Sequence, residues 1–566
     1  MSMDRILMKK QHFGIILGLT LFFCLTISSS LQKSVTYDEP VHIGAGLSYW
    51  KTADFKMNPE HPPLAKLLAG FPLWISGAEI DVEDDTWKNN QQWEFGKKVL
   101  FSWNEYRKTL FLARLPIIFL GVLLCFVVYL FAKEIYGQKA AWIALTLAVF
   151  SPELIAHSQL VTTDLALTLF MLCTFYFFWK YMKDEKKKHF YYIAIFLGLS
   201  LATKFSAIFM IPLMIVCYVF RCWLHQKSFF QSMQHNNFRE RGIFILIILL
   251  IISASYFFQG VPHYIEGLQQ VFIQSQSSER AVSQYLLGEF SKEGWWYYFP
   301  LAFLFKTSII VLFLFFISLL LTLKRNNLKN EIFLFVPIFG WMILFMFTNL
   351  NIGVRHILPV YPFIFIFSSS IATLDFSFLN SFFEKQKNKI IITLLFFYIL
   401  SSLFVYPNYL TFFNELIGPS NGHEYLLDSN IDWGQDLYGL NTWIENNNVE
   451  KIKLFYFGND DPDYYGIKYE NIPCFAEVGI VAISVNARIG LIEGTQRCFN
   501  WLDMYQPLTT IGNSIWVYNI TEEKLRPGNE GKCEVQCRKE CKEKNKIYLG
   551  HDLAQEKCSC YCKLAL

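Results

Sequence analysis

Long apolar blocks alternate with short polar segments along residues 1–406 of the chain. Most of these blocks approach the roughly 20 residues that cross a bilayer as a helix. The blocks lie near 13–31, 111–131, 139–151, 164–180, 242–259, 298–323, 331–348, 355–374 and 390–406. One further apolar stretch, 190–220, is too long for one ordinary helix and is interrupted by "LATKFS". We interpret this stretch as two short helices that meet at Lys204.

The basic segments between the blocks predict how the chain is oriented. They are "KYMKDEKKKH", "RCWLHQKSFFQSMQHNNFRER", "KRNNLKN" and "EKQKNK", together with a basic N-terminus. Lys and Arg concentrate in cytoplasmic loops, and these segments share one side only if 190–220 crosses twice. The pattern predicts about eleven transmembrane helices with a cytoplasmic N-terminus. A cleaved signal peptide over the first block is the alternative, and both place the following segment outside.

Three parts of the chain are then predicted outside the cytoplasm: a loop at 32–110, a loop at 260–297 and the C-terminal region from 407. The first loop contains "HPPLAKLLAGFPLWISG", which is too short to span and is expected to lie along the membrane surface. Residues 407–525 combine one amphipathic helical pattern with strand-like runs such as "GIVAISV", which predicts an α/β domain. The predicted fold is a polytopic α-helical membrane domain over 1–406 followed by this extracytoplasmic domain.

Composition supports this assignment to the membrane proteins. The chain is 53% hydrophobic and 17% charged, whereas soluble chains carry about 25% charged residues. Neither a nucleic-acid-binding signature nor a Walker-type phosphate loop is present in the sequence, so no nucleic-acid partner is expected. Membrane lipids are the expected surroundings, and the bacterial inner (plasma) membrane is the expected location.

The cysteines divide between the apolar blocks and the C-terminal region. Eight of them follow the last apolar block, and the stretch 526–566 is a Cys-rich tail. Outside the cytoplasm disulfides are favoured, and a metal site in the tail is the sharper alternative. The spacing leaves the connectivity open for Cys474, Cys498, Cys533, Cys537, Cys541, Cys558, Cys560 and Cys562.

Ionisable residues cluster where the blocks meet the predicted outer face. Such residues are costly near a membrane and are therefore candidates for function. The cluster comprises Asp38, Glu39, Glu60, His61, Arg114, Glu153, His157, Asp164, Lys204, Arg355 and His356. Asp38 is followed by a proline at the second helical position, so a helix-capping role for its side chain is compatible with any other.

The chemistry of this set favours sugar transfer from a lipid phosphate. Arg and Lys suit an anionic phosphate headgroup, and a nearby carboxylate suits a general base. A phosphate leaving group needs charge stabilisation by cations and no general acid. One base with several cations therefore fits this reaction better than the two-carboxylate pattern of glycoside hydrolysis.

Six segments in order resemble the GT-C superfamily of membrane glycosyltransferases, and within it the protein O-mannosyltransferase and lipid A aminoarabinose transferase group. They are "YDEPVHIGAG", "HPPLAKLLAGFPL", "ARLPIIFLG", "SPELIAHSQLVTTDLALTLF", "GLSLATKFSAIFMIPL" and "NIGVRHILPVYPFIFI". The resemblance covers residues 1 to about 406. The loop at 260–297 is too short for the β-trefoil insertion of eukaryotic O-mannosyltransferases, and the Cys-rich tail has no counterpart in the family.

The resemblance implies an inverting transfer of a monosaccharide from a polyprenyl-phosphate donor to a hydroxyl outside the cytoplasm. It implies Asp38 as the catalytic base, with Glu39 beside it, and cations that bind the donor phosphate. Glu60 and His61, together with His157 and Asp164, are candidates for substrate binding. The implied phosphate-binding residues are Lys204, Arg355, Arg114 and His356.

Several alternatives stay open at this point. A transporter or flippase of a lipid-linked sugar is the second hypothesis, because short helices with buried polar residues also suit transport. A divalent metal held by carboxylate and His ligands is possible. In "DSNIDWGQD", the acids Asp428, Asp432 and Asp436 suit metal or sugar binding, although Gly434 favours a turn-and-cap role. The acceptor, whether lipid A, another glycan or a protein, is not encoded in these motifs.

Overall fold

The computed structural model describes residues 2–224, 238–259, 261–276, 283–322, 327–374, 381–521, 537, 540, 546–554 and 557–564. The chain forms two compact units, Met1–Ile431 and Asp432–Leu566. The first unit therefore includes residues 407–431, which follow the domain boundary predicted at residue 406. The predicted Cys533 and Cys541 lie outside the described residues.

The first unit is almost entirely helical. Within the part of this unit that the structure describes, one hairpin pairs Gln284–Leu286 with Glu289–Ser291. Short 3-10 turns occupy Phe205–Phe209, Val354–Ile357, Ser369–Thr373, Tyr409–Thr411, Pro419–Glu424 and Asp428–Asn430, and a π-helical turn occupies Val336–Gly340. The α-helices are Ser2–Ser30, Glu39–Thr52, Leu64–Ile75, Asp85–Lys88, Gln92–Phe101, Tyr106–Tyr136, Gln138–Val149, Pro152–Ser158, Asp164–Asp184, Lys187–Leu201, Met210–Leu224, Phe238–Ser255, Val261–Gln276, Tyr298–Lys306, Ile309–Leu320, Leu328–Phe335, Trp341–Met346, Val360–Ser368 and Ser381–Phe404.

The helices confirm a polytopic membrane protein. Among the described residues, 6 helices are long and apolar enough to span a bilayer, or up to 8 if each of two bent helix pairs is one span. Three further predicted spans correspond to the shorter or more polar helices Lys187–Leu201, Phe238–Ser255 and Val360–Ser368. The count of about eleven stays a prediction. The expected break at Lys204 is present, because one helix ends at Leu201 and the next turn begins at Phe205.

The segment after the first long helix packs through unusually close backbone contacts. A Cβ at Gly46 would lie 2.1 Å from the carbonyl oxygen of Lys66, and one at Gly96 would lie 2.2 Å from that of Pro40. Only glycine permits these approaches. They hold the helix Glu39–Thr52 against two neighbouring helices and thereby fix the position of its first residues.

The second unit is built around a five-stranded mixed sheet with the order Tyr469–Asn471, Ile452–Phe455, Gly479–Ser484, Ile515–Ile520, Thr509–Ile511. The first three strands are parallel and the last two pair antiparallel. The helices Leu437–Asn446 and Val485–Ile489 accompany the sheet, with 3-10 turns at Pro462–Tyr465 and Asn500–Met504, and Lys546–Ala554 pairs with Lys557–Leu564 in a separate hairpin. The α/β character predicted for this region is confirmed.

A disulfide joins Cys474 to Cys498 in this unit, two of the cysteines whose connectivity the sequence left open. Cys537 is also disulfide-bonded. Cys558, Cys560 and Cys562 lie on the last strand, Lys557–Leu564.

The acids of the second unit that the sequence singled out have structural partners. Asp432 accepts hydrogen bonds from the amide of Gly434 at 3.1 Å and from the hydroxyl of Ser484. Asp436 accepts one from Ser514 Oγ at 2.6 Å. Both acids are buried. This arrangement fits the turn role better than a metal or sugar site.

Candidate active site

Asp38 precedes the helix Glu39–Thr52, and its backbone carbonyl accepts a hydrogen bond from the amide of His42. Its side chain, by contrast, makes no capping hydrogen bond, so a side-chain capping role is wrong. The carboxylate instead accepts a hydrogen bond from Nη1 of Arg355 at 2.7 Å. The two side chains keep 24% and 12% exposure. The carboxylate is held by a cation and still open to a substrate.

Glu39 has a different environment although it is the next residue. It is fully buried, and its two oxygens accept hydrogen bonds from Nε and Nη2 of Arg114 at 2.8 and 2.6 Å. The backbone amides of Thr36 and Val161 also donate to it, at 2.8 and 3.0 Å. A buried charge is stabilised only when it is paired and hydrogen-bonded in this way. The geometry therefore assigns Glu39 to the framework and leaves it no access to a substrate.

Arg114, the partner of Glu39, is enclosed by acceptors. It is 1% exposed, and it donates to the backbone carbonyls of Ser30, Lys33 and Ser34 at 3.1, 3.3 and 2.8 Å. A phosphate would reach this guanidinium only by displacing these partners. In this structure Arg114 ties the end of the first helix to Glu39 rather than presenting a cation to a donor.

A second ion pair joins Lys204 to Asp164. Lys204 lies just before the turn Phe205–Phe209, and its Nζ is 2.5 Å from Oδ1 of Asp164, the first residue of the helix Asp164–Asp184. Asp164 is buried and Lys204 is partly exposed. Asp164 also lies within electrostatic range of Arg355. The two cations implied to bind phosphate are thus each paired with a carboxylate in the same region.

His42 lies within electrostatic range of Asp38, Asp164 and Arg355 and is not among the residues predicted from the sequence. Burial lowers the pKa of His42 to about 4, and the negative charges of Asp38 and Asp164 partly oppose this shift. The ring is therefore neutral at pH 7. One available signal was its spacing, because a residue four positions after Asp38 lies on the same side of a helix.

His356 follows Arg355 but faces aromatic side chains. Its ring lies 6.0 Å from that of Phe345 and 6.2 Å from that of Phe299. Its Nε2 is buried without a hydrogen-bond partner in the structure. The ring nevertheless lies within electrostatic range of Lys204, Arg355 and Asp164.

Two of the predicted substrate-binding residues, Glu60 and His61, are adjacent in the chain, and His61 lies within electrostatic range of His42, Lys204 and Asp164. Glu60 accepts hydrogen bonds from Asn58 at 3.0 Å and from Gln92 at 2.9 Å. The ring of His61 lies 5.4 Å from that of His42. His61 also lines a cavity of about 420 Å³ whose other polar walls include Tyr49, Asp54, Lys56, Tyr256, His263 and Gln270.

Lys66 is a buried cation that the sequence prediction missed. Its Nζ contacts the hydroxyl of Tyr49 at 2.9 Å and the backbone carbonyls of Asn58 and His61 at 2.6 and 2.8 Å. Burial lowers the pKa of Lys66 to about 7. These contacts fix the segment that carries Glu60 and His61.

Glu153 and His157 lie in a buried cluster with Lys306, another residue missed from the sequence. Nε2 of His157 is 3.6 Å from Glu153, and Nζ of Lys306 is 3.4 Å from it. All three side chains are almost fully buried. His157 is therefore not exposed to a substrate in this structure. Within the described residues, no group of three His, Cys, Asp or Glu side chains is arranged to hold a metal ion.

Part of the chain is similar to a known protein family. Residues 15–270 match the family model "Dolichyl-phosphate-mannose-protein mannosyltransferase". The matched range contains Asp38, Asp164 and Lys204, whereas Arg355 lies beyond it. The matched range is less than half of the chain, and over this range the match confirms the predicted resemblance to the protein O-mannosyltransferases. No curated protein matches the chain at a significant level.

Several solved structures are similar to the chain, each at low sequence identity. ArnT from Cupriavidus metallidurans bound to undecaprenyl phosphate has 11% identity, with 91% of this chain and 99% of that chain covered, and a TM-score of 0.49. The Archaeoglobus fulgidus oligosaccharyltransferase has 13% identity, with 82% of this chain and 59% of that chain covered, and a TM-score of 0.46. The S. cerevisiae Pmt1-Pmt2 complex bound to the sugar donor has 15% identity, with 49% of this chain and 39% of that chain covered, and a TM-score of 0.33.

Proposed function

We propose that the protein is an inverting glycosyltransferase that moves a monosaccharide from a polyprenyl-phosphate donor to an acceptor hydroxyl. The reaction takes place on the extracytoplasmic face of a bacterial inner membrane, with the N-terminus in the cytoplasm and the second unit outside. The acceptor is lipid A, another glycan or a protein. The family match over residues 15–270 supports the reaction class.

The observation that carries this proposal is the partly exposed pair of Asp38 and Arg355, with Nη1 and Oδ2 separated by 2.7 Å. Asp38 acts as the general base. Arg355 holds one oxygen of this carboxylate through the hydrogen bond and balances its negative charge. Lys204 adds a second cation in the same region, so one part of the molecule supplies both the base and positive charge for a phosphate.

The proposed reaction is a single displacement. The acceptor oxygen attacks the anomeric carbon while the bond from that carbon to the phosphate oxygen breaks. The hydroxyl proton goes to Asp38, and the lipid phosphate leaves with its negative charge stabilised by Arg355 and Lys204. Both electrons of the broken bond stay with the phosphate, which therefore needs no general acid.

Arg355 also couples donor binding to activation of the base. A guanidinium carries five N–H donors and binds phosphate well, so an incoming donor competes with Asp38 for it. As the phosphate takes over this interaction, Asp38 Oδ2 becomes able to accept the proton of the acceptor. The proposed order is therefore donor binding before proton transfer.

The experiment compares membranes that contain the wild-type protein or the Asp38→Asn variant. Transfer is followed with a panel of radiolabelled polyprenyl-phosphate sugars, and products are identified by mass spectrometry of envelope lipids, glycans and glycoproteins. We expect a loss of about 10²- to 10⁴-fold in Asp38→Asn, the contribution of a positioned base. Asp85→Asn is the matched control, because Asp85 is an exposed acid of the same outer segment. Near-normal transfer in folded Asp38→Asn would overturn the proposal.

A further inference from the structure

The turn Asp428–Asn430, here called the DSN turn, contacts the loop that carries Arg355. Ser429 Oγ donates a hydrogen bond to the carbonyl of Ile352 at 2.7 Å, and Asn430 Oδ1 accepts one from the amide of Val354 at 2.9 Å. These two bonds lie on either side of Gly353. The loop is therefore held immediately before Arg355.

Gly353 permits this close contact. A Cβ at position 353 would lie 2.2 Å from Ser429 Oγ, which is far inside any real contact distance, but 3.5 Å from Ser429 Cβ. The hydroxyl of Ser429 alone would thus exclude a larger residue. The loop and the DSN turn fit each other at the level of single atoms.

The DSN turn is itself anchored to buried groups. Nδ2 of Asn430 donates to the hydroxyl of Tyr298 at 2.9 Å and to the carbonyl of Leu427 at 2.8 Å. Its backbone carbonyl accepts a hydrogen bond from Nζ of Lys306 at 2.8 Å, and the same ammonium binds the carbonyl of Leu410 at 2.7 Å. Both Asn430 and Lys306 are buried, so water cannot replace these partners.

Asp428 shows that the turn faces the candidate site. Burial raises the pKa of Asp428 to about 6, and Arg355 and Asp38 both act on its carboxyl group. The residue adopts φ of +60°, a left-handed conformation that Asp tolerates better than most residues. The turn therefore brings a third carboxyl group near the pair that the proposed mechanism uses.

We propose that Ser429 and Asn430 are positioning residues that orient Arg355 toward the lipid phosphate of the donor. This inference rests on the proposed function, since it gives Arg355 the phosphate-binding role assigned there. It explains why a polar "DSN" segment follows the last long helix, a motif to which the proposed reaction alone gives no role. Lys306 stabilises the DSN turn by donating a hydrogen bond to the backbone carbonyl of Asn430.

The test is a double-mutant cycle on binding of undecaprenyl phosphate to the full chain in detergent, measured by native mass spectrometry. Ser429→Ala removes one hydrogen bond and is expected to weaken binding about 5-fold. Asn430→Ala leaves buried partners unsatisfied and is expected to weaken it about 10- to 100-fold. Ser420→Ala, in the neighbouring turn Pro419–Glu424, is the control and should leave the affinity unchanged.

The decisive comparison measures the effect of Ser429→Ala in a protein that also carries Arg355→Met. If Ser429 acts through Arg355, Ser429→Ala should weaken binding no further once Arg355 is gone. Equal losses of affinity in both backgrounds would overturn the inference, as would unchanged affinity in Ser429→Ala and Asn430→Ala. These binding results are independent of the Asp38→Asn transfer assay, so failure of the inference can be told apart from failure of the proposed function.

A second pair of substitutions, at Gly353 and Ser429, distinguishes loss of this contact from misfolding. Gly353→Ala should weaken binding because its methyl group meets the Ser429 hydroxyl, and the double variant Gly353→Ala/Ser429→Ala should bind better than Gly353→Ala alone. If the double variant binds worse than either single variant, the contact does not position Arg355.

Discussion

Two arginine–carboxylate pairs begin at adjacent residues and differ in almost every physical respect. The pair of Asp38 and Arg355 is joined by a hydrogen bond of 2.7 Å and remains partly exposed. The pair of Glu39 and Arg114 is bidentate, and its side chains are 0% and 1% exposed. Further amide donors and carbonyl acceptors complete the second pair, whereas the first lies within range of a second ion pair and of His42.

The difference teaches that an acid pair in a sequence need not share a function. A bidentate buried pair is costly to form and very costly to break, so it fixes the geometry around it. A partly exposed pair is more easily exchanged for another partner. Glu39 therefore holds the start of the helix in place, and Asp38 is the acid that chemistry can use.

The largest expected effect is on stability, from Glu39→Gln. The substitution leaves the buried Arg114 without its counter-ion and should cost about 3–5 kcal/mol in the free energy of unfolding. Thermal unfolding of the detergent-solubilised protein would measure the loss. Glu94→Gln is the control, because Glu94 is exposed and its pair with Lys97 contributes about 0.5 kcal/mol at most. A Glu39→Gln variant as stable as Glu94→Gln would contradict the structural role of Glu39.

For the pair of Asp38 and Arg355, the expected effect is on catalysis rather than on stability. Arg355→Met should lower kcat/KM for the lipid-linked donor by about 10²- to 10³-fold, because one charge-stabilising donor is lost. The kcat/KM of Arg355→Lys should lie between those of the wild-type protein and Arg355→Met, since lysine binds phosphate as a point charge without the bidentate geometry. Stability should change little in both. If Arg114→Met impairs donor use in folded protein as much as Arg355→Met does, the distinction between the pairs is wrong.

A smaller effect is expected from Asp432, a buried carboxyl group whose hydrogen-bond donors are neutral and which lies within electrostatic range of Asp436. Burial raises the pKa of Asp432 from 3.8 to about 7, so folding favours its protonated form. Its contribution to stability is complete below pH 3.8 and is lost as the pH rises through 7. Asp432→Asn should therefore flatten the decline in stability between pH 5 and 8 by about 2 kcal/mol. Unfolding transitions recorded across that range would test this, and an unchanged slope would contradict it.

Much of the fold was predictable because membrane helices and strands leave local patterns. The break at Lys204, the helix Leu437–Asn446 and the strands Gly479–Ser484 and Ile515–Ile520 occur where hydrophobic periodicity places them. The two short edge strands of the sheet carry too few residues for such a pattern. Helix boundaries also follow, since Pro, Ser and Asp mark several of them.

The sequence predicted most residues of the candidate site, but it did not predict which of them form ion pairs with one another. The sequence indicated Asp38, Glu39, Arg114 and Arg355, but which cation meets which acid depends on contacts between residues far apart in the chain. Arg114 shows the consequence, because only its burial distinguishes a framework cation from a ligand. Lys66 and Lys306 were missed since each stands alone in an apolar stretch and binds backbone carbonyls, which carry no sequence signal.

The central claim, that Asp38 is the base and Glu39 its structural neighbour, is tested most directly by one side-by-side measurement. Transfer rate per folded molecule and thermal stability would be recorded for Asp38→Asn and Glu39→Gln in the same membranes. We predict that Asp38→Asn keeps its stability and loses about 10²- to 10⁴-fold in rate, while Glu39→Gln loses mainly stability. A stable Asp38→Asn protein that transfers sugar at the wild-type rate would contradict the account.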